Sequence, residues 1–214
     1  MSAKQEILRR IARAGTIDPP PIPRDYRRTG DGSDVVAEME EALIDYTATV
    51  SHASEKDVPA AIDAALTDCS TVMVPPGLPD AWQKGAGKGR ELRVDEPALT
   101  KDELDHTDAV VTAARAGVSL SGTIMLDGEP DQGRRAITLV PDFHLVVLHA
   151  EQIVPTVPEA IARLDPVRPL TMIAGPSATS DIELERVEGV HGPRTLDVLV
   201  VTMNYLPTST NPGS

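Results

Sequence analysis

The stretch Gly175-Pro-Ser-Ala-Thr-Ser-Asp-Ile-Glu183, followed by Gly189-Val-His-Gly-Pro193, gathers the residues of this chain best equipped for chemistry. Ile173 ends an apolar, strand-like run, and the pattern from Asp181 predicts a helix. A loop rich in hydroxyl groups at a strand-to-helix junction is where open α/β sheets bind ligands, and helix N-termini attract anions. Asp181 and Glu183 stand in the expected first turn, so a bare phosphate there would meet two like charges. Ser180-Asp-Ile-Glu183 also fits a capping box, in which Ser180 and Glu183 satisfy backbone N–H groups and stabilise the helix by roughly 1 kcal/mol. That box leaves Asp181 unexplained and makes it the better candidate for work on a ligand or proton. Ser177 is similar, because the loop can turn its hydroxyl outward. His191, between Val190 and Gly192, carries an imidazole that titrates near neutrality and suits a general acid or base. A histidine at a turn is also often a hydrogen-bonded structural group, and both readings stand.

The remaining chemistry-bearing residues are scattered. His52 and His106 sit in polar surroundings and are expected at the surface, and His149 closes an apolar run. A metal site would need His144, His191 and Asp181 to converge, and no His-x-x-x-His or similar local spacing exists, so none is expected. There is no Gly-x-Ser-x-Gly elbow to activate a serine. Cys69 precedes an apolar run and reads as inert packing. A lone cysteine excludes an internal disulfide, a cysteine-ligated iron–sulfur cluster and a four-cysteine zinc site within this sequence, and no cofactor is expected in it.

The elements that must position these groups read as one α/β domain. Apolar residues make up 41% of the 214, enough for a single ample core. With one Phe, one Trp and three Tyr, that core must be built from Val, Leu, Ile and Ala, and no aromatic platform is available for stacking bases. A net charge of −13 repels phosphate backbones and anionic membranes, so nucleic acid is not an expected partner. No apolar run reaches the roughly 18–20 residues of a membrane span, and the first residues lack a signal-peptide core. A cytoplasmic location is the expectation.

Residues 3–14 read as a helix and Asp18 to Pro23 as an extended, proline-rich segment. Residues 1–33 are therefore expected to form an arm, either frayed or clasping a partner, ahead of a domain over 34–205 and a polar tail over 206–214. Within the domain, helices are expected from Val35 to Tyr46, over Ala60–Leu66, Lys101–Leu104 and Glu159–Leu164. Strands are expected over Thr71–Val74, Ala109–Thr112, Thr123–Leu126, Leu145–Leu148, Leu170–Ile173 and Leu196–Thr202. Lys84 to Arg90 reads as a loop without the spacing of a phosphate-binding motif. Continuous apolar strands separated by helices predict a largely parallel sheet with helices on both faces.

Three segments carry a resemblance to a known family: Ser121-Gly-Thr-Ile-Met125, Pro141-Asp-Phe-His144 leading into Leu145, and the block from Gly175 to Glu183 with its following His-Gly-Pro. Together they resemble the bacterial lactate-utilisation (LUD-domain) family, most closely its C-type members, over roughly residues 80–202. The resemblance implies a fold similar to the NagB/RpiA/CoA-transferase group. It also implies a role in oxidising L-lactate to pyruvate, as an accessory subunit beside iron–sulfur and cysteine-rich partners. The matched positions add Gly122, Thr123 and His144 to Gly175, Ser177, Ser180 and Glu183 as candidate binding residues for a small anion, with Asp181 and His191 as candidate catalytic residues. One departure stands out. Where the family commonly has an acidic residue before its threonine–glycine–threonine run, this chain has Val118-Ser119-Leu120-Ser121. The glutamate nucleophile of the similar CoA-transferases also has no matched position. A stand-alone enzyme or a sensor acting on a small anionic or phosphorylated metabolite is the competing expectation.

Overall fold

The computed structural model describes residues 2–15, 20–176, 178–180, 186–188 and 192–202. The helices are α1 (Ala3–Arg13), α2 (Val35–Asp45), α3 (Val58–Ala65), α4 (Asp80–Ala86), α5 (Lys101–Asp105) and α6 (Val157–Ile161). The first six strands are β1 (Thr49–Ser54), β2 (Thr71–Val74), β3 (Glu91–Val94), β4 (Ala109–Ala113), β5 (Ala116–Val118) and β6 (Thr123–Leu126). They are followed by β7 (Phe143–His149), β8 (Ile153–Val154), β9 (Thr171–Ala174), β10 (Ala178–Ser180), β11 (Arg186–Glu188) and β12 (Thr195–Thr202).

Six strands form an all-parallel sheet in the order β1-β12-β7-β4-β2-β3. Its central strands are mostly apolar because both faces are covered. On β7, Leu145 and Val147 pack with Val58, Ile62, Trp82 and Ala86 of α3 and α4, whereas Val146 and Leu148 pack with Met39 and Leu43 of α2. The predicted α/β architecture, a mostly parallel sheet with helices on both faces, is the observed one.

Strands β6 and β9 depart from expectation. Both were expected in the parallel sheet, yet they belong to a second sheet of order β8-β5-β6-β9, in which β6 is antiparallel to both β5 and β9. This sheet lies against the α2 face of the main one, where Ile124, Leu126 and Ile153 join the cluster of Val146 and Leu148.

Local signals explain most helix ends. Asp34 caps α2 by accepting from the N–H groups of Val36 and Ala37, and Thr100 and Glu103 make the expected capping box of α5. Lys84, Gly85 and Ala86 close α4 rather than opening a loop, and Glu91 already begins β3. Gly85 fits there because a Cβ would lie 2.4 Å from the Pro59 carbonyl oxygen, where α3 and α4 cross. The sixth helix starts earlier than expected, with Pro158 in its first turn.

The expected helix from Asp181 begins outside the described residues. Its expected N-cap, Ser180, instead ends β10, which pairs antiparallel with β11 in the register Ser180↔Arg186. The N–H groups that the expected cap would satisfy, with its partner Glu183, lie outside the described residues. Of the arm, α1 buries no residue. The arm meets the domain near residue 28, where the Arg28 carbonyl accepts from Thr156 Oγ1 at 3.1 Å and Gly30 lies against Pro155.

Candidate functional site

A cleft of about 240 Å3 opens where the amino ends of β7 and β12 meet the carboxyl end of β9. Its walls include His144, Leu196, Ile173, Gly175, Arg135 and Thr138. Parallel α/β sheets usually bind ligands beyond the carboxyl ends of their strands. Here the second sheet covers the α2 face, and its β9 edge forms a recess near the opposite end.

The floor is chemically unusual. His144 is 0% exposed. Its Nε2 lies 2.9 Å from Thr112 Oγ1, on the neighbouring strand β4, while its Nδ1 is buried with no hydrogen-bond partner among the described residues. Burial, and secondarily the Arg135 guanidinium, pushes its pKa down to about 3, so the ring is neutral near pH 7. A buried polar nitrogen without a partner costs about 1–3 kcal/mol, and His144 is one of the residues that line the cleft. Arg135 supplies the opposite chemistry. Its Nη1 donates to the carbonyl and hydroxyl oxygens of Thr138, both at 2.9 Å. Among the described residues it makes no salt bridge, and its Nε and Nη2 have no hydrogen-bond partner. A guanidinium anchored by one corner with its other donors free matches the fork that binds carboxylate or phosphate.

The LUD-domain family model matches residues 36–201, nearly the whole globular part. The chain belongs to the LUD-domain family. A protein of Deinococcus radiodurans named lactate utilization protein C is 44% identical over 209 residues, covering 93% of this chain and 95% of its own. The Geobacillus kaustophilus protein of the same name is 33% identical over 136 residues, 58% of this chain and 55% of that protein. A crystal structure of a DUF162-family protein from Deinococcus radiodurans superposes with a TM-score of 0.68 at 41% identity, covering 78% of this chain and 96% of that one.

Within this LUD domain the structure separates the expected site residues into three groups. His144 and Gly175 line the cleft. Gly122 and Thr123 do not. Gly122, at φ +57, lies beneath the last turns of α2, where a Cβ would sit 3.1 Å from the Ala42 carbonyl carbon. Gly175, at φ +78, is similarly crowded, since its Cβ would lie 2.7 Å from Tyr46 Cβ. Thr123 is buried, pairs with Ala174 across the β6–β9 ladder, and shares a 2.8 Å hydrogen bond with Ser121. The two glycines thus let α2 settle on the second sheet, and Gly175 serves that packing and the cleft wall together.

Ser177, Asp181, Glu183 and His191 lie outside the described residues, and Ser180 is described as a strand residue only. Gly192, which follows His191 in the chain, lines the cleft. The family's missing acidic position, Leu120, is 47% exposed. Its neighbour Ser119 is buried and donates to the Glu38 carboxylate of α2. Cys69 is half-buried, and burial raises its thiol pKa, which suits inert packing. His149 stacks on Trp82 with ring centroids 5.9 Å apart and bonds Glu55. Among the described residues no group of three or more His, Cys, Asp or Glu is arranged to hold a metal ion, and no helix is long and apolar enough to cross a membrane.

Sequence reasoning missed Arg135, Thr138 and Thr112. The available signal was the adjacent pair Arg134-Arg135 after Gly133 in a chain that is otherwise strongly acidic. The two arginines diverge. Arg134 forks onto Asp95 at 2.7 and 2.9 Å. Burial alone would raise the Asp95 pKa, but Arg134 and the Leu99 N–H hold it below its ordinary value. Arg135 has no salt bridge among the described residues.

Proposed function

We propose that this LUD protein serves L-lactate utilisation as an accessory subunit that binds a small organic anion beside partners carrying the redox groups. The observation that carries the site is the pairing, in one cleft, of a neutral His144 whose Nδ1 has no partner among the described residues with the anchored fork of Arg135. An anionic oxygen on Arg135 and a polar atom facing His144 Nδ1 would satisfy both groups at once. The name of the Deinococcus relative, matched over nearly its full length, supports lactate utilisation as the process. The single cysteine of this sequence supports placing iron–sulfur and other cysteine-ligated chemistry on separate, cysteine-rich chains.

Asp181 and His191 complete the proposal as the groups that hold or move a proton at the bound anion. Gly192 in the cleft wall supports that reading for its neighbour His191. A second reading, a stand-alone enzyme or sensor for such an anion, uses the same cleft.

The test combines genetics with recovery of partners. In a host lacking the native gene, Arg135→Gln, Asp181→Asn and His191→Gln should each abolish growth on lactate while accumulating to normal levels. The tagged wild type should co-purify with cysteine-rich subunits. Normal growth by all three variants would overturn the site. Turnover of an organic acid by the isolated chain, with no partners recovered, would favour the second reading.

A further inference from the structure

Beside the cleft lies a larger groove of about 650 Å3, which borders the same Arg135 and Thr138. Its exposed wall surface is more apolar than polar, with Pro76, Pro130, Pro169 and Ala98 contributing, while Asp95, Glu129, Arg134 and Arg168 also line it. The groove's other cations are already neutralised, Arg134 by Asp95 and Arg168 by Glu129 and the buried Asp127. Of the three, Arg135 is the one without a salt bridge among the described residues, and it stands where the two cavities adjoin. A volume near 240 Å3 suits a small acid, whereas 650 Å3 lies in the range that takes a metabolite-sized body. Proline and leucine walls offer little to a charged or strongly hydrated group and much to an apolar one.

We infer that the cleft and the groove form one two-chamber site for an organic anion with an apolar body, its carboxylate or phosphate held by Arg135, a polar atom meeting His144 Nδ1 in the cleft, and its apolar part laid along the prolines of the groove. This rests on the anion reading above for its head group and extends it, because a three-carbon acid would fill the cleft and leave the groove empty. The ligand of this chain is then larger than lactate itself.

Titration calorimetry with five probes tests it: acetate, lactate, hexanoate, hexyl phosphate and the uncharged hexanol. Hexanoate or hexyl phosphate should bind at least tenfold more tightly than lactate or acetate, and the preference between these two tells carboxylate from phosphate. Arg135→Gln should lower that affinity at least tenfold. Ala98→Trp, which fills the groove, should abolish the advantage of the six-carbon probes and leave acetate binding unchanged. Equal binding of hexanoate and lactate, or hexanoate binding that Ala98→Trp leaves intact, would overturn the two-chamber site while the anion reading survives. Hexanol binding as tightly as hexanoate would overturn it too, as adventitious apolar binding. If none of the anions binds, both readings fall.

Discussion

Strands β7 and β9 lie on the two sides of the cleft and obey different rules. Between Leu145 and Leu148, β7 is wholly buried, since helices cover one face of its sheet and α2 with the second sheet covers the other. Strand β9 alternates between half-buried and exposed residues, with Met172 50% exposed at the cleft. The scaffold side is committed to packing, and the edge side keeps its surface available. His144 belongs to the committed strand and lines the cleft together with Met172 and Ile173 of the uncommitted one, so a polar group has been placed where the two meet.

Truncation at the two strands should expose that contrast most strongly. Leu145→Ala should cost about 2–5 kcal/mol in urea denaturation, as expected for a fully buried leucine in a close-packed core. Met172→Ala should cost less than about 1 kcal/mol. Equal costs would mean that the β9 edge is as tightly packed as the main sheet.

A smaller effect probes the junction between the regions. Gly175→Ala forces a side chain into φ +78 and against Tyr46, so it should cost about 1–3 kcal/mol. Gly32→Ala, at φ +89 with nothing within 4 Å, carries only the backbone penalty and serves as its control. A difference of zero would show that α2 does not press on the second sheet.

The pH dependence of stability sharpens the placement of His144. Its folded pKa near 3 lies below the ordinary 6.5, so between those values the unfolded chain binds the proton that the native ring refuses. Stability therefore falls as pH drops through this window, with a slope approaching 1.4 kcal/mol per pH unit from this one group. Above pH 6.5 the ring is neutral in both states and contributes no slope. Denaturation of the wild type and His144→Gln at pH 6.5, 5.75 and 5 should show the slope reduced in the variant. Parallel curves would place an ionisable, solvated ring at this position.

The parallel sheet was legible because its strands are runs such as Leu145-Val-Val-Leu148 and Leu196 to Thr202, too apolar for anything but a covered sheet. Sheet membership was not legible for β6 and β9. Four apolar residues look the same in either sheet, and only the antiparallel partners tell them apart. The pairing of Ser180 with Arg186 was likewise not legible, because a strand partner six positions along leaves no local pattern. Of the site, His144 and Gly175 were found through matched segments. Arg135 was not, because its distinguishing property is the lack of a carboxylate partner, and the adjacent Arg134 found one in Asp95, thirty-nine residues away. Charge neutralisation across such distances is a fact of the fold and leaves no mark on neighbouring residues.

Direct titration of the purified chain with organic acids, followed by calorimetry and by the resonances of His144, tests the cleft most simply. The account predicts saturable one-to-one binding of an organic anion, a shift of the His144 ring signals on saturation, and loss of both in a folded Arg135→Gln variant. Binding that survives Arg135→Gln unchanged, or that saturates without moving the His144 signals, would contradict it.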